Sequence, residues 1–587
     1  METGGKWKVA GGEERGEGLF TLPGREAIRR VMRAEGARRV VDEAEEIAAG
    51  KVHLFGAEAV PLRLTFDRPL HHWTEYELNP ELLRELIAPI SDIKFVWEPA
   101  RFGWAFTLGR AYHLSGDERY AETFWRHFEE FAAGNPAYRG PYWMNGQEVA
   151  LRLMALAWAG EVLAGARGST PAREGRLREA IATHAARIPH TLIYARSQNN
   201  NHLVSEAAGL YTAGLALGHA GWRETGWRWL NRALQHQISG YGEYIQHSAN
   251  YHRLMLQAAL WVHAIKDEEW PRASSQALER ATHYLFSMLD PGSGRVPNLG
   301  ANDGSLILPL SATVFQDYRP TVQAAARAFL GIQMGPGPWD EMPLWLGLPE
   351  AGRTHEPEQY LGDHPRGEHS WAVLRASSFK SRLGHMDQLH LDLWWRGMNI
   401  AQDAGTYLYN AEPPWDNPLT ATRVHNTVTV DGREQMTRGG RFLTLDWFPA
   451  FSKISIEGEG DLLQRVMAHH EGYPGVRHER TVSVHAGDRW VVEDRLIARG
   501  GHTYRLHWLL EEGDEDHEKW RIENRDSRFE ASGPGLERGK RKEERGWKVE
   551  EGEGGGEVRI QQGEGWIAVR MRAGSAAEAS LSVVRAG

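Results

Sequence analysis

The chain contains no cysteine. That excludes disulfides, thiolate metal sites and cysteine nucleophiles, and it leaves the compartment open, because many exported proteins also do without cysteine. No apolar run is long enough to cross a bilayer, so no membrane partner is expected. Met1 to Phe20, rich in Gly, Glu and Lys, lacks the apolar segment of a secretion signal. The expectation is a cytoplasmic protein, or a secreted or periplasmic one whose signal has been removed. Excess positive charge is missing too: 68 Lys and Arg against 78 Asp and Glu leave a net −10, which argues against nucleic acid as a partner. An anionic ligand would have to be met by local cations in a cleft. Nor does any block of side chains recur at a fixed period, which argues against a solenoid with a readable consensus.

What is present is bulk and aromatic surface. At 587 residues the chain is too long for one core, and two large domains are expected. Its 24 Trp and 27 His are the informative excess. Large aromatics mostly fill cores, but Trp beside polar residues also suits the apolar faces of sugar rings. Residues 21–350 show apolar positions spaced three to four apart, broken by short Gly, Pro or Asn punctuation, and read as a long series of helices. Among them are Ala172–Ile188, Leu203–Leu217, Gly221–Gln237 and Tyr251–Ile265. An array of helices closed on itself, an α/α toroid, accommodates them. Residues 351–587 change character: Leu389–Trp394, Thr427–Gly432, Thr481–Val484 and Thr503–Trp508 alternate with period two, as strands of a mostly antiparallel assembly do. Residues 1–20 read as a flexible terminus, and Gly533–Gly556 as a solvated hairpin or loop.

Three constellations could carry chemistry. Ser197–Glu206 places Asn199, Asn200, Asn201 and His202 at the entrance of an apolar helix, where amide side chains and free backbone N–H groups suit a carboxylate. Glu206, four residues after His202, could orient the imidazole. The plainer reading is an Asn-rich capped turn with a buried histidine. Glu243–His252 is a second polar loop feeding an apolar helix. Ser248 can cap it, which puts Tyr251 in the first turn, and a cleft tyrosine can serve as general acid or base. Tyr244 competes for that role, and both tyrosines could instead simply pack. The third is Gly384–His390 with Ala401–Tyr407 and Thr422–Thr427. Here His385, Asp387, Asp403 and His425 can meet from adjoining strands, and two imidazoles with carboxylate suit zinc or a similar divalent ion. A hydrogen-bonded His/Asp cluster tying the sheet together is the alternative.

At these residues the chain resembles the heparinase II/III family of polysaccharide lyases, which includes alginate lyases. The matching pieces are Asn-Asn-His at 200–202, Ser-x-x-Tyr-His at 248–252, Gly-His-x-Asp at 384–387, Asp-Ala-Gly-Thr-Tyr at 403–407 and Arg-Val-His-Asn-Thr-Val at 423–428, in that order. The resemblance implies an N-terminal α/α toroid, an incomplete barrel, followed by an antiparallel β-sheet sandwich. It implies β-elimination at a uronic acid, with an acidic polysaccharide as substrate. Asn201, assisted by His202, would hydrogen-bond the substrate carboxylate, and Tyr251 would act as base, acid or both. A divalent metal ion, zinc by preference, would sit on His385, Asp403 and His425 and organise the interface between domains. No organic cofactor is implied.

One position departs from the family. Some members carry a second catalytic histidine two residues before that of Gly-His-x-Asp, and here Leu383 stands there. Either Tyr251 works alone, or His385, His390, Tyr244 or Tyr407 supplies the second function. Gln147, Arg152, Tyr244 and Trp143 are candidates for substrate contact, although Arg152 could equally pair with Glu148. The expected activity is lysis of uronate-containing glycans, of glycosaminoglycan type before alginate. Three alternatives are a C5-epimerase on the same scaffold, a glycoside hydrolase using Asp303 and Glu243, and a glycan-binding protein in which Trp143, Trp394 and Trp395 stack on sugars.

Overall fold

The structure is a computed structural model. It describes residues 18–511 except Ser91, 356–363, Arg382, 456–459 and 499–500, and beyond them the strands within 520–586. The loop expected at 533–556, apart from 549–550, and most of the flexible terminus expected at 1–20 lie outside the described residues.

Helices fill the chain from Arg25 to Trp345, and two kinds alternate. Gly146–Val162, Asn201–Leu217 and Ala249–Ile265 are apolar on nearly every face and buried along nearly their whole length. Pro171–Gln198, Ala220–Gln237 and Arg272–Ser287 bury one stripe each. A helix hydrophobic all round must be surrounded, and a one-sided helix must face solvent. Successive helices therefore form an inner and an outer ring, the α/α toroid. Among the described residues, no helix is long and apolar enough to cross a membrane.

One helix outruns its sequence pattern. Pro189 removes a backbone donor and predicts an end at Ile188, yet the helix runs from Pro171 to Gln198. Leu177, Ile181, Ala185, Ile188, Leu192 and Ala195 share one buried stripe that continues across the proline, and this packing overrides the local break. The consequence is positional. The helix is carried to the threshold of the next one, and the turn between them shrinks to the Asn199–Asn200 step.

Beyond residue 350 two sheets face each other. One pairs Phe451–Ser455, Leu462–Tyr473, Val476–His485 and Arg489–Ala498 in antiparallel order, with Gly565–Ala573 parallel to the last. The other joins Ser370–Leu374, Leu391–Trp395, Met398–Ala401 and Thr503–Glu511 in antiparallel order, with Glu578–Ala586 parallel to Thr503–Glu511. Val482, Val492 and Trp490 from the first meet Leu393, Ile400 and Leu506 from the second in one core.

The two halves are fastened along a seam. Residues 298–305, which follow the helix Arg272–Ser287, lie between the start of the helix Ala249–Ile265 and the loops of the sheet half. On one side Ala249 N–H donates to the Leu299 carbonyl at 3.0 Å; on the other Asn302 N–H donates to Thr406 Oγ1 at 2.9 Å. Glycine makes the approach possible. A Cβ on Gly300 would stand 2.1 Å from the His247 carbonyl oxygen, and one on Gly384 would stand 2.8 Å from Ala301 N. Tyr409 N–H also reaches across, to Asp92 Oδ2 at 2.9 Å.

Candidate active site

The asparagine turn is built to hold an amide. Asn199 takes the left-handed conformation (φ 48°) that ends one helix, and Asn200 caps the next by accepting from His202 N–H at 3.1 Å. Asn201, the first helical residue, is thereby fixed at the opening. Its Nδ2 donates to Gln147 Oε1 at 2.6 Å, its backbone N–H donates to Gln246 Oε1 at 2.9 Å, and Ser205 Oγ donates to the same Gln147 oxygen at 3.0 Å. With the Gln147 oxygen doubly engaged, both amides are oriented. The second Asn201 amide hydrogen and the Gln147 NH₂ have no hydrogen-bond partner among the described residues, which leaves two neutral donors side by side. Glu206 does not serve His202: it bonds Thr191 and faces Arg187, and its carboxyl is pushed up to about 8 by burial against the pull of those two.

Tyr251 sits where the capping argument predicts. Ser248 Oγ accepts from Tyr251 N–H at 3.1 Å and itself donates to the Ala301 carbonyl, so the cap and the seam loop are one structure. The phenol oxygen of Tyr251 lies 3.4 Å from that of Tyr409, which comes from the sheet half. Asp303, on the seam loop, accepts from Lys94 Nζ at 2.5 Å and from Asn250 Nδ2 at 3.0 Å. Burial, then Asp303, then Tyr409 hold the Tyr251 phenol well above its ordinary range; burial and Asp303 do the same to Tyr409. Both phenols are neutral at rest.

Several expected residues are elsewhere. Arg152 is fully buried and donates to His184 Nε2 and to the carbonyls of Ala100 and Tyr142, at 2.7 to 2.8 Å. It is an internal strut that burial puts out of a substrate's reach, and Glu148 pairs with Arg101 at 2.6 Å instead. Trp143 is 2% exposed and packs against His184 and Tyr138. Tyr244 is buried too, donating to Gln237 Oε1 at 3.0 Å, while Gln237 Nε2 donates to the Asn200 carbonyl at 3.1 Å. It braces the asparagine turn from behind. Trp394 is stacked on Trp371 inside the molecule, and Trp395 also belongs to the sheet core, which removes the sugar-stacking reading. Tyr407 is 62% exposed and lies against Trp415, so of the tyrosines near that motif it is Tyr409 that meets Tyr251. Sequence reasoning stopped two residues short, because the motif ends at Tyr407.

The two carboxylates a hydrolase would need are also unsuitable. Burial opposes ionisation of Glu243, but His247 at 2.9 Å and Arg375 draw it down to about 2. Asp303 is likewise held below its ordinary range by Lys94 and Arg101 against burial. Neither can carry the proton of a general acid near neutrality.

The third constellation does assemble. One ligand atom each from His385, Asp387, Asp403 and His425 lie within 4.8 Å of one another, all buried. His425 Nδ1 lies 2.8 Å from the Ala421 carbonyl and must carry a hydrogen to bond it, so the Nε2 lone pair points inward. That lone pair lies 3.0 Å from His385 Nδ1 and 3.6 Å from Asp403 Oδ2. Asp403 Oδ2 and His385 Nε2 have no hydrogen-bond partner. Inward nitrogen lone pairs beside an unpartnered carboxylate oxygen suit a cation, and ligands about 2.0–2.2 Å from a tetrahedral ion stand about 3.3–3.6 Å apart. The residues fit a divalent metal. His390 is not a third imidazole ligand: its Nδ1 accepts from Asn426 N–H at 3.0 Å, so its Nε2 carries the hydrogen and faces Asp392 and Asp403. Burial works against the Asp403 charge, yet His425 and His385 hold that carboxyl well below its usual range.

The profile "Heparinase II/III N-terminus" matches residues 72–308, and "Heparinase II/III-like, C-terminal" matches residues 364–586. A heparin-sulfate lyase of Bacteroides stercoris is 22% identical over 462 residues, 73% of this chain and 65% of that protein. One of Pedobacter heparinus is 22% identical over 443 residues, 72% of this chain and 63% of that protein. The chain thus spans somewhat less than two thirds of the length of these curated relatives. A crystal structure of heparinase III superposes with a TM-score of 0.50 at 16% identity, covering 78% of this chain and 70% of that one, a likeness of fold.

Proposed function

Starting from the fact that the chain belongs to the heparinase II/III-like family, we propose that it is a polysaccharide lyase. It cleaves uronate-containing glycans, glycosaminoglycans first among them, by β-elimination. The observation that carries this reading is the neutral phenol of Tyr251, 3.4 Å from Tyr409, at the seam between the halves. The names of the two curated relatives support the substrate class.

The chemistry has three parts. The C5 hydrogen of a uronate is weakly acidic, and the charge that develops as it leaves spreads onto the carboxylate. Asn201 and Gln147, with His202 beside them, offer neutral donors to that carboxylate, where they stabilise the developing charge. Tyr251 handles the protons. Its hydroxyl hydrogen passes to O4 as its oxygen takes the hydrogen from C5; the C4–O4 bond breaks, a C4–C5 double bond forms, and the phenol ends as it began. Tyr409 donates a hydrogen bond to the Tyr251 oxygen while that oxygen carries charge. This closes the gap left by Leu383 without a second histidine.

His385, Asp403 and His425, with Asp387 alongside, would hold a divalent ion, and zinc suits that donor set. Bound there, it would supply fixed positive charge that ties the strands of the sheet half together behind the seam loop.

The test is a panel of heparan sulfate, chondroitin sulfate, hyaluronan and alginate, followed by the ultraviolet absorbance of the unsaturated uronate. Absorbance rising on a glycosaminoglycan supports the reading. New reducing ends without absorbance would show a hydrolase. Solvent deuterium entering C5 with no shortening of the chain would show an epimerase, and either result overturns the proposal.

A further inference from the structure

A cluster of cations stands outside the seam, on the outer ring of helices. Arg196, near the end of the helix Pro171–Gln198, lies 4.0 Å above the Trp229 ring, and Arg232 and Arg228 lie 4.9 and 5.9 Å from it. All three arginines are exposed. Elsewhere arginines answer carboxylates: Arg101 pairs with Glu148, Arg110 with Glu341, Arg173 with Glu122, Arg480 with Asp494. These three have no acidic partner within ion-pair distance among the described residues. In a chain of net charge −10, three unneutralised guanidiniums gathered on one indole are a local reversal of sign.

Their place in the fold gives the reversal a use. Outer helices run toward the end of the toroid at which the inner helices Asn201–Leu217 and Ala249–Ile265 begin. Arg196 lies two residues, about 3 Å of helical rise, before its helix ends at Gln198, and the asparagine turn follows directly. Gln237, one turn beyond Arg232, bonds Asn199 and Asn200 directly. Attraction of cations to helix C-termini accounts for Arg196, in a last turn, but not for Arg228, in the middle of Ala220–Gln237. The indole holds the guanidinium of Arg196 by its face, which leaves its N–H groups free for an oxyanion.

We propose that Arg196, Arg228 and Arg232, arrayed on Trp229, form an anion subsite. It binds the sulfate or carboxylate groups of an acidic glycan outside the catalytic seam, beside the asparagine turn. Its service to substrate rests on the lyase reading; its affinity for the polyanion does not.

The test uses the whole chain carrying Tyr251→Phe, so that cleavage during the measurement is slight, on immobilised heparin and on immobilised alginate. The variants are Arg196→Ser/Arg228→Ser/Arg232→Ser and, as a charge-matched control, Arg38→Ser/Arg63→Ser/Arg68→Ser. The first should leave heparin at markedly lower salt, with the salt dependence of binding reduced by about two to three charges; the control should elute close to the parent. A shift on heparin alone assigns the subsite to sulfate, and a shift on both assigns it to anions generally. Equal elution of the two triple variants, or elution of the first at the parent's salt, overturns the proposal. Trp229→Leu, which keeps the charges and removes their platform, should give an intermediate shift. In the cleaving protein, the first triple variant should raise KM for long chains more than for a tetrasaccharide. Failure of the protein to cleave any glycan would refute the lyase reading and leave the elution result standing.

Discussion

The tyrosine seam and the His/Asp cluster are both buried, polar and assembled from distant stretches of chain, yet they differ in what burial has done to their protons. At the seam, burial and Asp303 push Tyr251 and Tyr409 upward, so two phenols keep their hydrogens. In the cluster, burial is overcome. Asp403 stays ionised between His385 and His425, and it raises His425 against burial, so a cation bound there would take the place of a proton on that imidazole. A site that retains neutral donors can pass a proton within one turnover. A site of imidazoles around a fixed negative charge can hold a cation in place of its proton. On the proposed reading, the difference gives chemistry to the seam and organisation to the cluster.

The comparison breaks first at the seam. Tyr251→Phe should lower kcat by ~10³-fold, with melting temperature and metal content unchanged. Tyr409→Phe, which removes only a hydrogen bond to the working oxygen, should cost about 10–10². A Tyr251→Phe protein that melts early would place the tyrosine among the structural residues instead.

Asn201→Ala should cost about 10²–10³ in kcat, the typical effect of losing a donor to developing charge. Much of this corner was readable in the sequence, since Asn competes with the backbone for hydrogen bonds and so favours the turn and cap that Asn199 and Asn200 form. What could not be read was burial. Arg152, Trp143 and Tyr244 have the right chemistry for a sugar site, and nothing local distinguishes a cleft tryptophan from one packed on His184. Tyr409 was hidden for the opposite reason: it lies beyond the end of a recognisable motif, and its partner Tyr251 is 158 residues away. The cluster was readable because metal ligands announce themselves by residue type, whereas the tautomer that removes His390 from the ligand set depends on the Asn426 backbone.

A smaller effect on turnover is expected from the cluster. Chelation, or His425→Ala, should lower the melting temperature by about 5 °C or more, as the loss of a buried cation among carboxylates requires. Activity should fall far less than in Tyr251→Phe while the protein stays folded. A metal-free, folded protein as inactive as Tyr251→Phe would erase the distinction between the two sites.

The smallest effect concerns stability alone. Glu206 is raised from 4.5 to about 8 in the folded protein. Between those values the folded state keeps a proton that the unfolded chain has lost, so stability falls as pH rises through this window and levels off above it. Glu206→Gln should abolish that decline, a gain on the order of a few kcal/mol at the upper end. Denaturant unfolding at pH 5 and pH 8 measures it; equal slopes for both proteins would show that Glu206 ionises freely.

The central claim, that Tyr251 drives elimination and not hydrolysis, is tested most directly by cleaving a defined uronate oligosaccharide in water enriched in heavy oxygen. Mass spectrometry of the fragments should show no heavy oxygen at the new ends and a combined mass equal to that of the substrate, with fragments from Tyr251→Phe appearing ~10³-fold more slowly. Fragments heavier by one labelled water, or undiminished cleavage by Tyr251→Phe, would contradict the account.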